Sequence, residues 1–215
     1  LSSSKIPTKT SVTKLKSLEE DSDIEDLIEN AKNKQISLNI KPKFIEEVQR
    51  LTSAQKGTLM HLCIQKLDEK IDYTKENLNM FIQNLLERNI ITNIEKENVD
   101  LEMLYKYTKS TLWQDLKEAK EIHKEEPFYI NIPAKKIYDD ADEDEMILVQ
   151  GIIDLYYINK NDELILVDFK TDYVPNGDVS KLEEKYKVQL NIYKEALENS
   201  IGRKVDKAFI WALKK

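Results

Sequence analysis

Two aspartates interrupt stretches of the sequence that are otherwise apolar. Asp154 lies within GIIDLYY and Asp168 within LILVDFK, and both segments are typical of buried strands. The polar residues between them place a turn centre near Asn161, so the aspartates are predicted to face each other across a hairpin, about 5 Å apart at Cβ. Lys170 follows Asp168 by two residues, so its side chain is expected on the same face of the strand.

This arrangement favours metal chemistry. Two like charges opposite each other in a core are costly unless something compensates them, and a divalent cation is the natural compensation. A one-residue error in the register would separate the two carboxylates. A structural Asp–Lys pair at the end of a strand therefore stays open as the second interpretation.

His61 is a third candidate, in the helical segment KGTLMHLCIQKLD. Gly57 precedes it by four residues and should lie beside it, one turn earlier on the helix. Glycine inside a helix costs roughly 1 kcal/mol relative to alanine, which suggests that the site needs the space beside the imidazole for a ligand or a substrate strand. The alternative is a histidine that belongs to the core.

The last predicted helix carries Gln189 and Tyr193 four residues apart, hence on one face, with Tyr186 one turn earlier. They could support a site on the neighbouring strands. Core packing with one polar contact explains them as well.

The pattern around these residues predicts helices followed by strands. Thr10 or Ser11 could cap a short N-terminal helix through Leu15 and Leu18, followed by an acidic run from Glu19 to Glu29. Strands one to three should form an antiparallel meander, and the helix before the fourth strand should be the crossover of a parallel pair.

The tract DDADEDE is a solvated hairpin tip or, alternatively, a calcium loop, although it lacks the glycine and the spaced ligands of an EF-hand. The predicted helices cover 43–51, 54–70, 74–88, 95–107, 111–124 and 178–199, and the predicted strands 128–132, 146–158, 164–169 and 205–213.

Composition excludes several classes of protein. The chain has 215 residues, 40% hydrophobic and 34% charged, with a net charge of −7, which describes a globular protein without a basic coat for nucleic acid. One cysteine excludes a disulfide framework and any iron–sulfur cluster held by four cysteines. No phosphate-binding loop, membrane span or signal peptide is recognisable, so the expected compartment is the cytoplasm. The start at Leu1 suggests a piece of a longer polypeptide.

The order GTLMH, GIID, VDFKTD and VQLNIY resembles the RecB-type nuclease domains of the restriction-endonuclease-like PD-(D/E)XK superfamily, and among them the C-terminal domain of AddA helicase–nucleases. The resemblance implies an α/β (α+β) fold with a mixed central sheet flanked by helices and an added helical N-terminal region. It extends from about residue 41 to the end, so we expect an N-terminal segment at 1–40 and a nuclease domain at 41–215. Within that domain the helical part is expected at about 41–124 and the sheet core at about 125–215. Ile153 stands where the superfamily name has proline.

Carried over by position, the resemblance implies roles for named residues. Asp154, Asp168 and Lys170 would be catalytic. The metal ligands would be His61, Asp154, Asp168 and the backbone carbonyl of Phe169. Gln189 and Tyr193 would support the site, and Glu126 is a further candidate for a role there.

The implied activity is Mg²⁺-dependent hydrolysis of single-stranded DNA, with Mn²⁺ as a substitute and no iron–sulfur cluster. The implied context is an ATP-dependent helicase–nuclease with an AddB-type partner subunit that processes broken DNA ends for recombination. Two alternatives remain: a degenerate domain that binds DNA or a partner without catalysis, and a standalone nuclease of the same superfamily.

Overall fold

A computed structural model describes residues 9–11, 51–136, 141–173 and 180–214. The predicted helix over 43–51 falls almost entirely outside these ranges, as do the acidic run and the start of the helix predicted over 178–199. No helix within the described ranges is both long and apolar enough to cross a bilayer.

The helical layer lies between residues 53 and 117. It comprises α1 (Ser53–Lys66), α2 (Lys75–Glu87), α3 (Asn93–Asn98), α4 (Leu101–Thr108) and α5 (Thr111–Lys117). Each helix begins after a Thr, Ser or Asp whose side chain accepts a hydrogen bond from a backbone amide of the first turn, which satisfies a donor that the helix itself leaves unpaired. The single helix predicted over 95–107 is two helices, because Asp100 caps a new one.

The strands are β1 (Lys9–Ser11), β2 (Glu121–Pro133), β3 (Met146–Ile158), β4 (Leu164–Tyr173) and β5 (Lys207–Lys214), with a 3₁₀ turn at Ala134–Lys136 after β2. Two helices, α6 (Ser180–Lys185) and α7 (Lys187–Ile201), connect β4 to β5. Gly202 ends α7 with a φ of 73°, a backbone conformation that glycine adopts without strain.

The sheet confirms the predicted meander and crossover. Strands β2, β3 and β4 are antiparallel neighbours, and β4 and β5 are parallel. Along its second edge β3 pairs with β4 at residues 155–158 and with β1 at residues 148–150. That edge therefore has no ladder partner among the described residues at 151–154, between β1 and β4.

Thr10 and Ser11 lie in a strand parallel to β3 that the sequence did not predict, and the short helix expected through Leu15 and Leu18 lies outside the described residues. One other expectation is wrong. The helix predicted over 111–124 ends at Lys117, and Glu121–Lys124 already pair with β3. Cross-strand hydrogen bonds outweigh the local helical pattern there.

The sheet separates two apolar cores. One lies against α1–α5 and includes Leu155, Tyr157, Val167 and Phe169. The other lies against α7 and includes Val149, Ile153 and Tyr156.

Candidate metal centre

The two aspartates lie where β3 and β4 separate. The last ladder pair is Leu155 with Val167, and continuing this register places Asp154 opposite Asp168, as the sequence predicts. The ladder stops one residue short of them. In its place the backbone amide of Phe169 donates to Oδ2 of Asp154 over 2.8 Å, so a carboxylate occupies the position of a sheet hydrogen bond.

His61 reaches Asp154 from α1. Its Nδ1 is 3.5 Å from Oδ1 of Asp154, and its ring packs edge-on against Phe169. Burial would lower the pKa of His61, but the Asp154 carboxylate outweighs burial and raises it. Burial would likewise raise the pKa of Asp154, yet His61, Lys170 and the Phe169 amide together lower it. The charged form of each group therefore favours the other.

Asp168 points to the opposite side of the sheet, where α7 lies. It is only 2% exposed, and its Oδ2 is 2.6 Å from Nζ of Lys170. Burial raises the pKa of Asp168 to about 6, partly countered by Lys170. The Lys170 ammonium also lies 4.5 Å from the centre of the Tyr186 ring, so its position is held from two sides.

Gln189 and Tyr193 are where sequence reasoning puts them. Nε2 of Gln189 donates to Oδ1 of Asp168 over 3.3 Å and to the Tyr193 hydroxyl over 2.9 Å. Tyr193 packs edge-on against Phe128 of β2. Helix α7 thereby fixes the orientation of the buried carboxylate.

Sequence reasoning missed Glu125. Its carboxylate, the His61 imidazole and the Asp154 carboxylate each offer a ligand atom, and these atoms lie within 4.8 Å of one another. Glu126, the residue nominated instead, is exposed. Glu125 has a φ of 55°, an uncommon conformation for a residue with a side chain. The sequence named Glu126 at this place, whereas the structure brings its neighbour Glu125 close to His61 and Asp154.

Both strands exchange faces at this point. In β3, Val149 and Ile153 pack towards α7, whereas Leu155 and Tyr157 pack towards the helical layer. Regular alternation would keep these odd-numbered residues on one face. The residues on either side of Glu125 and Asp154 keep one register, so the irregularity affects both strands equally. Glu125 and Asp154 therefore lie at the position where β2 and β3 exchange faces.

A small pocket opens where the two strands exchange faces. Its cavity volume is about 10 Å³, which suits about one water molecule or a bare ion. The Tyr107 hydroxyl is buried there and has no hydrogen-bond partner among the described residues. The lining includes His61, Tyr107, Lys124, Glu125, Asp154 and Phe169.

Lys124 of β2 contacts the C-terminal end of α1. Its ammonium donates to the carbonyl of Leu67 over 2.8 Å and pairs with the Glu69 carboxylate. A cation at a helix C-terminus compensates carbonyls that the helix leaves unpaired. This contact holds the helix that carries His61 against the strand that carries Glu125.

Gly57 has a different role from the one expected. A Cβ at Gly57 would lie 2.9 Å from Oγ1 of Thr171. The missing side chain thus allows α1 to approach β4, rather than leaving room beside the imidazole for a substrate.

The donor set fits a divalent cation. Carboxylate oxygens suit Mg²⁺, Mn²⁺ and Ca²⁺, and one imidazole nitrogen is compatible with Mn²⁺ and related metals. Next to this set lie a buried carboxylate and an ammonium, at the point where the ladder between β3 and β4 is interrupted. Such a fold and site describe a metal-dependent nuclease of the PD-(D/E)XK class.

Residues 35–215 match the PD-(D/E)XK nuclease superfamily. The chain belongs to this superfamily and is a nuclease domain.

Three of its curated relatives are named as the A subunit of an ATP-dependent helicase/nuclease. The protein from Thermoanaerobacter sp. (strain X514) is 38% identical over 173 residues, covering 79% of this chain and 14% of the relative. The protein from Acetivibrio thermocellus is 35% identical over 212 residues, covering 97% of this chain and 16% of the relative. The protein from Clostridium novyi (strain NT) is 32% identical over 215 residues, covering 98% of this chain and 17% of the relative. The chain thus spans less than a fifth of these relatives.

Proposed function

We propose that this chain is the DNA-cleaving domain of an ATP-dependent helicase–nuclease, and that it hydrolyses phosphodiester bonds of single-stranded DNA. The observation that carries the proposal is the cluster of His61, Glu125 and Asp154 ligand atoms within 4.8 Å of one another, next to the Asp168–Lys170 pair. The names of the relatives support the helicase–nuclease context and, because they denote an A subunit, a partner subunit. A role at broken DNA ends, a cytoplasmic location and a partner of the AddB type are part of the proposal through the resemblance of the sequence motifs.

The proposed ligands of Mg²⁺, with Mn²⁺ as a substitute, are His61, Asp154, Asp168 and the carbonyl of Phe169, and we add Glu125. When bound, the metal would polarise the scissile phosphate and make its own water more acidic. The Phe169 amide holds Asp154 in place, and Gln189 holds Asp168. Each carboxylate thus keeps its orientation before any ligand arrives.

Lys170 is the proposed catalytic cation. Its ammonium is positioned by Asp168 and by the face of Tyr186, and it would orient the attacking water or offset negative charge that grows on the phosphate. Glu126 is left with a role at the periphery, because it is exposed. The net charge of −7 suggests weak binding of DNA by the isolated chain, since affinity depends on neutralising phosphates. A helicase motor in the whole protein would supply the strand.

A calorimetric titration of the chain with Mn²⁺ tests the proposal. We expect saturable binding by the wild type and strongly weakened binding by Asp154→Asn. The exposed Asp144→Asn variant, in the loop before β3, is the matched control and should bind as the wild type does. A wild type that binds no metal, or an Asp154→Asn variant that binds normally, would favour the degenerate, non-catalytic alternative.

A further inference from the structure

One face of the sheet beside the metal centre lies open to solvent. We call it the open face and define it by six residues of β1, β2 and β3: Lys9, Pro127, Tyr129, Asn131, Gln150 and Ile152. Tyr129 is opposite Gln150, and Pro127 is opposite Ile152, so these pairs share a face. The residues that alternate with them, such as Phe128, Ile130 and Val149, are buried against α7.

The open face carries large side chains in unusual exposure. Tyr129 is 69% exposed and Ile152 is 37% exposed. None of the six residues is acidic and Lys9 is basic, on a chain that has 40 acidic and 33 basic residues. A phosphate backbone therefore meets no carboxylate from these six side chains.

The open face is continuous with the metal centre. Because β2 and β3 exchange faces at Glu125 and Asp154, the open face lies on the same side of the sheet as the helical layer that carries His61. Tyr129 pairs with Gln150, four residues before Asp154, which corresponds to about 13 Å along the strand. A flexible strand that crosses Tyr129 would reach the carboxylates directly.

We propose that the open face binds single-stranded DNA on its way to or from the metal centre, with one base stacked on the Tyr129 ring. The inference rests on the proposed function for the identity of the ligand. Every base offers an aromatic face, so an exposed tyrosine at the edge of a cleavage site holds a single strand without reading its sequence. Paired bases in a duplex are stacked on one another and do not offer these faces.

Binding of a fluorescein-labelled oligothymidylate to the 215-residue chain, followed by anisotropy at low salt in EDTA, tests the proposal. EDTA separates this surface from the metal centre. We expect Tyr129→Ala to weaken binding about tenfold, since a stacked base contributes about 1–3 kcal/mol, and Tyr129→Phe to bind as the wild type does. Met80→Ala, at a 71% exposed position in α2, is the matched control and should change nothing.

Two results would overturn the proposal: Tyr129→Ala binding with wild-type affinity, or Tyr129→Phe losing as much affinity as Tyr129→Ala. The first would also be the outcome if the open face docks another protein domain. Neither result bears on the proposed metal centre, because the titration with Mn²⁺ in the absence of DNA tests that centre separately. Normal Mn²⁺ binding together with an unchanged Tyr129→Ala affinity would reject this surface alone.

Discussion

The backbone amide of Phe169 donates a hydrogen bond to Oδ2 of Asp154 over 2.8 Å, at the point where β3 and β4 separate. The contact replaces a ladder bond by a bond to a side chain. It lets two aspartates in one register point to different layers, Asp154 towards His61 and Asp168 towards Gln189. Of the two aspartates, Asp154 is the one whose carboxylate lies among the clustered ligand atoms of His61 and Glu125.

Asp168→Asn should stabilise the metal-free chain while abolishing cleavage. Burial raises the pKa of Asp168 to about 6 from an ordinary value of 3.8, and this difference corresponds to about 3 kcal/mol. The folded pKa lies above the unfolded one, so the destabilisation by the ionised carboxylate grows from about pH 4 upward and is complete above about pH 6. The gain from Asp168→Asn should therefore be largest near pH 8 and fall to about half at pH 5.

Urea unfolding in EDTA at several pH values measures this gain. Asp206→Asn, at a half-exposed carboxylate before β5 that binds the Leu164 amide, serves as a comparison and should not stabilise the chain at any pH. If Asp168→Asn were destabilising at pH 8, the buried carboxylate would be a structural partner of Lys170 rather than a ligand awaiting a cation.

Glu125→Gln should weaken Mn²⁺ binding by at least about tenfold, whereas Glu126→Gln should leave it unchanged. The neighbouring residues differ only in position: the Glu125 carboxylate lies with His61 and Asp154, and Glu126 is exposed. Calorimetry of both variants measures the difference. Equal affinities for the two variants would remove Glu125 from the metal centre.

Which of the two glutamates lies beside His61 and Asp154 was not predictable from the sequence. Two adjacent glutamates on a strand point to opposite faces, and the left-handed conformation of Glu125 depends on tertiary contacts. The aspartates and Lys170 were predictable, because the turn around Asn161 is symmetric and its register is local. Strand β1 was not predictable, because it consists of three residues that pair with β3 more than a hundred positions later in the sequence, and no local pattern indicates such a pairing.

Gly57→Ala should destabilise the chain despite the better helix propensity of alanine. The new Cβ would lie 2.9 Å from Oγ1 of Thr171, so α1 or β4 must shift. In a Thr171→Ala background the same change should instead stabilise by about 1 kcal/mol. A double-mutant cycle by urea unfolding tests this reversal of sign, and additive effects would show that the two residues do not meet.

Lys124→Met should cost about 3 kcal/mol of unfolding free energy, because it leaves the half-buried Glu69 carboxylate and the last carbonyls of α1 without their cation. Lys120→Met removes a more exposed lysine that pairs with Asp162 and should cost less than about 1 kcal/mol. Thermal and urea unfolding compare the two variants. Similar costs would mean that Lys124 is an ordinary surface lysine.

Cleavage of an end-labelled single-stranded oligonucleotide by the purified chain tests the central claim most directly. With Mg²⁺ or Mn²⁺ at low salt and without ATP, we expect slow cleavage by the wild type and none by Lys170→Met. The described residues contain the proposed metal ligands and the proposed catalytic ammonium, which together would suffice for hydrolysis, and the sequence has no phosphate-binding loop for ATP. Cleavage that survives EDTA, that requires ATP, or that persists in Lys170→Met would contradict the account.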